Sequence, residues 1–446
     1  MKRSREGPGE SPGAPSKNTP TGVSPVFSRT ARFRRETADR LLALFALYGY
    51  REIILPSFEY LDAISPGLDP AILPRLYLMQ DRGSGHVLVL RPDATAQIAR
   101  LSTQSFRDRM LPLRFSYSTS VFRDENRTAS LLRELHQTGL ELLGDPSFHA
   151  DLEVLDLCLL GSKIFPLENP LLVLSHATLQ EDYLRLPDSG KEETAALRKA
   201  FYSREVEALD AIFTRNGLPE RARITSAFAG RVLSPEEALD LVSTLEKKCP
   251  GTFSASSIGS FTGLLKALSG SRNPSEIRVD MALSPPGPYY TGMFFRMYAR
   301  ESFTHMASGG RYDRLGLAFG HDLPAVGFAY QISHIEELLR RREGETQDSS
   351  LVLVVHSEST FSELEPAISR LRSGKIPVLS HRIPERGLSF SPEEALREHE
   401  EIRAVLWKSS ENGIFSLLLR DRPLRTSASL SELLSSLSAF SSESPR

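Results

Sequence analysis

A tyrosine pair, Tyr289 and Tyr290, sits in the stretch SPPGPYYTGMFFRMY, Ser284 to Tyr298. Paired aromatics make good walls for a small-molecule pocket. Catalytic pockets usually add a charged group beside them, but the flank here is Pro285, Pro286, Gly287 and Pro288. The stretch reads either as an active site that lost its chemistry or as a binding site that never needed any. Further upstream, LRELHQTGLELLG alternates as a strand, and Gln137 and Glu141, four apart, face the same side of it. Metal chemistry finds no support. Cys158 and Cys249 have no metal spacing and build no disulfide framework, and the ten histidines include no HxxxH pair. The two thiols read as core residues in a reducing cytosol. Neither a metal nor a cofactor is expected.

The elements that must position these residues follow from pattern. The 446 residues are too many for one ordinary domain, and 40% are hydrophobic, enough for a large core. The net charge of -2 argues against a chain-wide hold on nucleic acid. Residues 1–22, rich in Gly, Pro and Ser, have no apolar run after Lys2, Arg3 and Arg5. They read as a disordered tail, not a secretory signal. No stretch approaches the roughly 18 apolar residues of a membrane span, and a cytoplasmic location is expected. Ser28 to Tyr48 has helical spacing, with Gly49 as the stop. REIILPSFEY reads as a strand, and RLYLMQD with HVLVLRPD as a hairpin. LRFSYSTSVFRDE and LRELHQTGLELLG read as two long antiparallel strands joined at Asn126 to Ser130.

Residues from about 179 to 272 are mostly helical in pattern, and Ser234-Pro235-Glu236-Glu237 is a capped helix start. Strands resume at EIRVDMAL, TGMFFRMYA, SFTHMASGG and PAVGFAYQI, and a helix runs to about Arg342. The order is sheet, helical insert, more sheet: one α+β domain over 23–342 interrupted by a helical module. A charged linker over 343–349 leads to a small α/β domain at 350–425. A Ser-rich tail at 426–446 carries one helix at SLSELLSSL.

Four ordered segments, LRPDATAQIAR, FRDENRTASLLRELHQTGLELLG, PYYTGMFFRMY and GGRYDRLGLAFGHDLPAVGFAYQIS, resemble the histidyl-tRNA synthetase fold of the class II synthetases over residues 20 to 342. The resemblance implies a mixed, mainly antiparallel sheet flanked by helices. It also implies which side chains hold histidine. A carboxylate in the RPxxT segment corresponds to Asp93 with Thr95. A Gln and a Glu on the second strand of motif 2 correspond to Gln137 and Glu141, and the tyrosine pair to Tyr289 and Tyr290. The chemistry agrees: an amino acid needs an anion for its ammonium, donors or acceptors for its imidazole, and an aromatic wall. Arg123 remains in the motif 2 loop beside Glu125. Arg311 of GGRYD is either a ligand contact or half of an ion pair with Asp313.

The nucleotide half departs from the synthetases. Amino-acid activation crowds negative charge at the α-phosphate of ATP, and cations must stand where it develops. By resemblance one arginine precedes the tyrosine pair, where this chain has Pro285. Another ends motif 3, where it has His334, and a third is absent near Leu131. Gln331 replaces a small glycine. Losing one such stabiliser typically costs about 2.7–4 kcal/mol. The pattern, with RPDATAQIAR, resembles the regulatory subunits of ATP phosphoribosyltransferase. That implies a non-catalytic histidine sensor, a dimer core in a hetero-oligomer, and a partner, the short catalytic subunit that condenses ATP with phosphoribosyl pyrophosphate. The alternatives are an active histidyl-tRNA synthetase and a stand-alone histidine-binding module. One departure from the family is Pro288, where an acidic residue usually precedes YYTG, either to help hold the ligand or to shape the strand entrance. The C-terminal domain takes the place of an anticodon-binding domain. Its Arg372, Lys375 and Arg382 lie among Glu385, Glu393, Glu394, Glu398, Glu400 and Glu401, a poor footprint for RNA.

Overall fold

The computed structural model describes residues 20 and 22–441, except 107–108, 125–131, 169, 188–189, 272–275, 286, 301, 344–350, 385–389, 400, 410–412 and 421. The expected N-terminal tail (bar residues 20 and 22), the loop at Asn126 to Ser130, Leu131 and the linker after Glu343 fall outside the described residues. The chain divides into two compact units. The first runs to Arg342; the second comprises Glu343–Arg446 with Phe27–Arg32.

In the first unit the strands, in chain order, are β1 Arg51–Glu52, β2 Phe58–Tyr60, β3 Leu78–Gln80, β4 Val87–Leu90, β5 Leu113–Phe122, β6 Glu134–Leu143, β7 Leu171–His176, β8 Ile277–Val279, β9 Met293–Tyr298, β10 His305–Arg311 and β11 Ala325–Gln331. Eight form one sheet in the order β1-β5-β6-β11-β10-β9-β7-β8. Only its two edge pairings, β1 with β5 and β7 with β8, are parallel; the centre is antiparallel. β2, β4 and β3 make a separate antiparallel sheet. The architecture is the expected α+β, class II synthetase-like arrangement. REIILPSFEY is two strands in two sheets, because Pro56 lacks the N–H a continuous ladder needs. β7, LLVLSH, runs without a break into the helix Ala177–Leu184, which hid it from the periodicity.

Local chemistry explains the helix ends. Helix Ser28–Leu47 buries Leu41 and Phe45 and stops at Gly49, whose φ of 83° suits glycine. Ser234 and Glu237 form a reciprocal capping box on helix Pro235–Lys248, with Pro235 in the first turn. That helix belongs to the insert, which also holds helices Lys191–Tyr202, Val206–Arg215, Pro219–Phe228 and Ala255–Ser271. Their apolar faces share one core with the sheet's inner face, through residues such as Phe201, Phe213, Phe228, Leu264, Phe295 and Phe328. Cys158 and Cys249 are buried free thiols.

The second unit is a five-stranded sheet in the order β13-β12-β14-β15-β16, from β12 Leu351–His356, β13 Val378–Arg382, β14 Ile402–Lys408, β15 Phe415–Leu419 and β16 Arg425–Ser427. The Ser-rich segment is more than a tail. It supplies β16 and the helix Leu430–Ser441, whose Leu433, Leu434 and Leu437 enter the core beside Leu364 and Leu417. Leucines at helical spacing carry that packing, and the intervening serines disguised it. Among the described residues no helix is long and apolar enough to cross a membrane.

Candidate functional site

The site lies on one face of the eight-stranded sheet, opposite the helical core. Register fixes which residues share that face. Tyr117 on β5 pairs with Gly139 on β6, Gly139 with Ala329 on β11, Ala329 with Ser308 on β10, and Ser308 with Arg296 on β9. Side chains of directly paired residues stand on the same face. Steps of two along β6 bring Gln137 and Glu141 to it as well. The floor is therefore small in its middle, Gly139, Gly327, Ala329 and Ser308, and carries large polar groups toward both sides. Above it is a cavity of about 500 Å³. Small size is obligatory at Gly327: a Cβ there would stand 1.7 Å from Glu141 Oε2.

Glu141 is the buried centre of the carboxylate end. Thr95 Oγ1 donates to its Oε1 at 2.7 Å, and the Tyr312 hydroxyl donates to its Oε2. The Tyr117 hydroxyl lies at the limit of donation, 3.5 Å. Burial pushes the Glu141 carboxyl up to about 8, against the pull of the donors from Tyr312 and Thr95. Asp93 caps the helix Ala94–Gln104 by accepting from Ala96 N at 3.0 Å, and its other oxygen pairs with Arg123 at 3.2 Å. Arg123 also donates to the carbonyl of Pro92 at 2.6 Å, so it reads as a strut of the Asp93 loop as much as a cavity cation. Gln137 donates to Gln331 Oε1 at 2.9 Å across β6 and β11.

Tyr289 and Tyr290 stand with ring centroids 4.7 Å apart, and Tyr289 meets the edge of Tyr312 at 6.1 Å. Two hydrogen bonds, one of them through the Thr291 side chain, strap YYTG to GGRYD. Thr291 N donates to Arg311 O at 2.8 Å, and Asp313 N donates to Thr291 Oγ1 at 3.0 Å. Gly309 and Gly310 serve close backbone approach inside β10, not a turn. A Cβ on Gly309 would lie 2.3 Å from Gly327 O, and one on Gly310 2.5 Å from Met293 O.

Asp93, Thr95, Arg123, Gln137, Glu141, Tyr289 and Tyr290 all line the one cavity. Arg311 does not. Its guanidinium is spent on Asp151 at 2.7 Å, Asp313 at 3.0 Å and the carbonyls of Asp145 and Ser147 at 3.0 Å each. Of its two expected roles it has the structural one, and its place among the ligand contacts is corrected accordingly.

Other residues emerge only from the structure. Tyr117 and Tyr312 hold Glu141, and Arg296, Ser308 and Gln331 line the far side with His305 and His334. His334, which the resemblance sets at the place of the motif 3 arginine, stands at the cavity wall, its Nδ1 3.4 Å from the His305 carbonyl. Burial, together with Arg296 and His334, pushes His305 down to about 3. Neither Pro285 nor Pro288 lines the cavity. For Arg296 the sequence carries only a partial signal, the face it stands on. In β9 the alternation puts Phe294 and Arg296 opposite Met293, Phe295 and Met297, and an arginine on that face needs either solvent or a site.

Comparison with known proteins places this geometry. The histidyl-tRNA synthetase family profile matches residues 22–335. An ATP phosphoribosyltransferase regulatory subunit from Moorella thermoacetica is 33% identical over 333 residues, 74% of this chain and 83% of the relative. The chain belongs to the histidyl-tRNA synthetase-like family of ATP phosphoribosyltransferase regulatory subunits. A second regulatory subunit, from Anaeromyxobacter dehalogenans, is 31% identical over 326 residues, 73% of this chain and 92% of the relative. A Bacillus halodurans structure described as a regulatory subunit/histidyl-tRNA synthetase superposes with a TM-score of 0.72 at 23% identity, covering 88% of this chain and 98% of that one. At that identity it supports the fold alone. The cavity residues named above lie between Asp93 and His334, inside the matched region.

Proposed function

We propose that the chain is a non-catalytic regulatory subunit that binds L-histidine in this cavity. It activates a short-form ATP phosphoribosyltransferase catalytic subunit and conveys feedback inhibition by histidine at the first step of histidine biosynthesis. The observation that carries the reading is the lopsided cavity. Glu141, Asp93 and two tyrosines gather at one end; of the positions where the resemblance sets a synthetase's arginines, one is His334 at the cavity wall and another is Pro285, outside the cavity lining. Carboxylates and tyrosines suit an amino acid; without the arginines, charge developing on a reacting triphosphate lacks its stabilisers. Feedback requires that histidine bind two arrangements of the complex unequally, a coupling of typically about 1–3 kcal/mol. A self-dimer at the heart of that complex belongs to the reading; the three-stranded sheet exposes apolar residues on both faces, Phe58 and Met79 on one and Leu78 and Val87 on the other. The second unit takes a structural or interaction role, and the working location is the cytoplasm.

Reconstitution tests the reading. The purified chain is mixed with a short catalytic subunit, and phosphoribosyl transfer is measured with and without histidine. Activation by the chain and suppression by histidine are expected, and Tyr289→Ala with Glu141→Ala should blunt the suppression while sparing the activation. No complex and no change in activity would favour a stand-alone histidine-binding module. Arg296 is the observation that favours the synthetase alternative, because it puts a cation in the cavity that the motif comparison does not anticipate.

A further inference from the structure

The cavity has more room and more charge than the carboxylate end explains. Its volume of about 500 Å³ extends over the floor of small residues to Arg296 and His305. Among the described residues Arg296 makes no hydrogen bond or ion pair, and its Nε is buried without a partner. The other arginine of the cavity, Arg123, is already paired with Asp93. Its paired neighbours carry no negative charge: Ser308 faces it across β10 and Val173 across β7. A buried guanidinium N–H without an acceptor is costly, and that cost is removed by an anion bound there.

We infer that Arg296 forms an anion subsite at the far end of the cavity, so that the ligand is recognised at both ends. Carboxylates and tyrosines take its imidazole and ammonium, and Arg296, with the Ser308 hydroxyl close by, takes an anionic oxygen group. This rests on the proposed histidine reading, in which the group is the amino acid's own carboxylate; a phosphate would satisfy the same chemistry. Guanidinium presents parallel N–H donors that match either group. Arg296 lies three strands from Glu141, about 14 Å between backbones at the usual strand spacing. For one amino acid to reach both, the long Arg296 side chain must lean over the small floor toward Glu141.

The test uses the full chain, its Arg296→Gln and Arg296→Lys variants, and three probes by calorimetry: L-histidine, histidinol and AMP. Histidinol carries a hydroxymethyl group in place of the carboxylate. Wild type should prefer histidine to histidinol by about 10- to 100-fold. Arg296→Gln should bind the two within about threefold, and Arg296→Lys should keep part of the preference. Urea midpoints of the variants check that the fold is intact. Full preference surviving in well-folded Arg296→Gln overturns the inference. Should the wild type bind no histidine, the histidine reading fails on its own. AMP then decides: binding that Arg296→Gln weakens tenfold or more sustains the anion subsite with phosphate as its ligand. If no probe's binding depends on Arg296, the inference is wrong.

Discussion

Glu141 concentrates the chemistry at the scale of single residues. Its pKa is raised from 4.5 to about 8 because burial disfavours the charged form. For a group raised in the fold, the stability it contributes is fully present below the unfolded value and fades as pH climbs through the folded one. The empty protein therefore loses stability between about pH 4.5 and 8 through this residue. A ligand cation favours the ionised carboxylate. Histidine binding at pH 7 should release a proton, and affinity should rise from pH 7 to 8. Calorimetry in two buffers of different ionisation enthalpy measures the release, and Glu141→Gln should abolish it. That substitution should also weaken binding by about 10- to 100-fold, the worth of a charge-assisted hydrogen bond. Arg311 makes the opposite case. Arg311→Met breaks a buried ion pair, and the expected cost is about 3–5 kcal/mol of unfolding free energy. Histidine affinity of the folded protein should stay within a few fold, because Arg311 touches no part of the cavity. A denaturant titration beside a binding isotherm separates the two effects.

Strand register does the positioning at the scale of elements. Glu141 sits opposite Gly327, and no larger residue fits there. Gly327→Ala should expel the Glu141 carboxylate, lower stability by about 1–3 kcal/mol through overpacking, and weaken histidine binding; urea unfolding and calorimetry together would show it. Register also explains what was legible in the sequence. Gln137 and Glu141 were readable as a pair because a strand has period two, and Tyr289, Tyr290 and Asp93 because they lie in short contiguous motifs. Arg296 was hidden because its role depends on which strands flank β9, and that order, β10 on one side and β7 on the other, crosses from 305 back to 171 in sequence. Tyr312 was overlooked for a similar reason. Its neighbours Arg311 and Asp313 carry charge and drew the reading, while the tyrosine between them makes the contact with Glu141.

At the scale of the whole molecule, all cavity residues belong to the first unit, and the second has its own core. A chain ending at Arg342 should thus bind histidine as the full chain does; a tenfold loss on calorimetry would show that the second unit takes part in sensing. The broad plan of sheet, helical insert, sheet and α/β unit was visible from periodicity. The helix Leu430–Ser441 was underrated because serine-rich composition suggests a solvated tail, although Leu433, Leu434 and Leu437 are spaced to pack.

The account stands on the claim that this cavity grips an amino acid without activating it, and Arg296 makes that claim open to direct challenge. Histidine-dependent exchange of pyrophosphate into ATP by the purified chain is the most direct measurement. No exchange above the protein-free background is predicted, with Arg296 intact. Sustained exchange that vanishes in Arg296→Gln would contradict the account and make this chain a synthetase whose cation has moved to another strand.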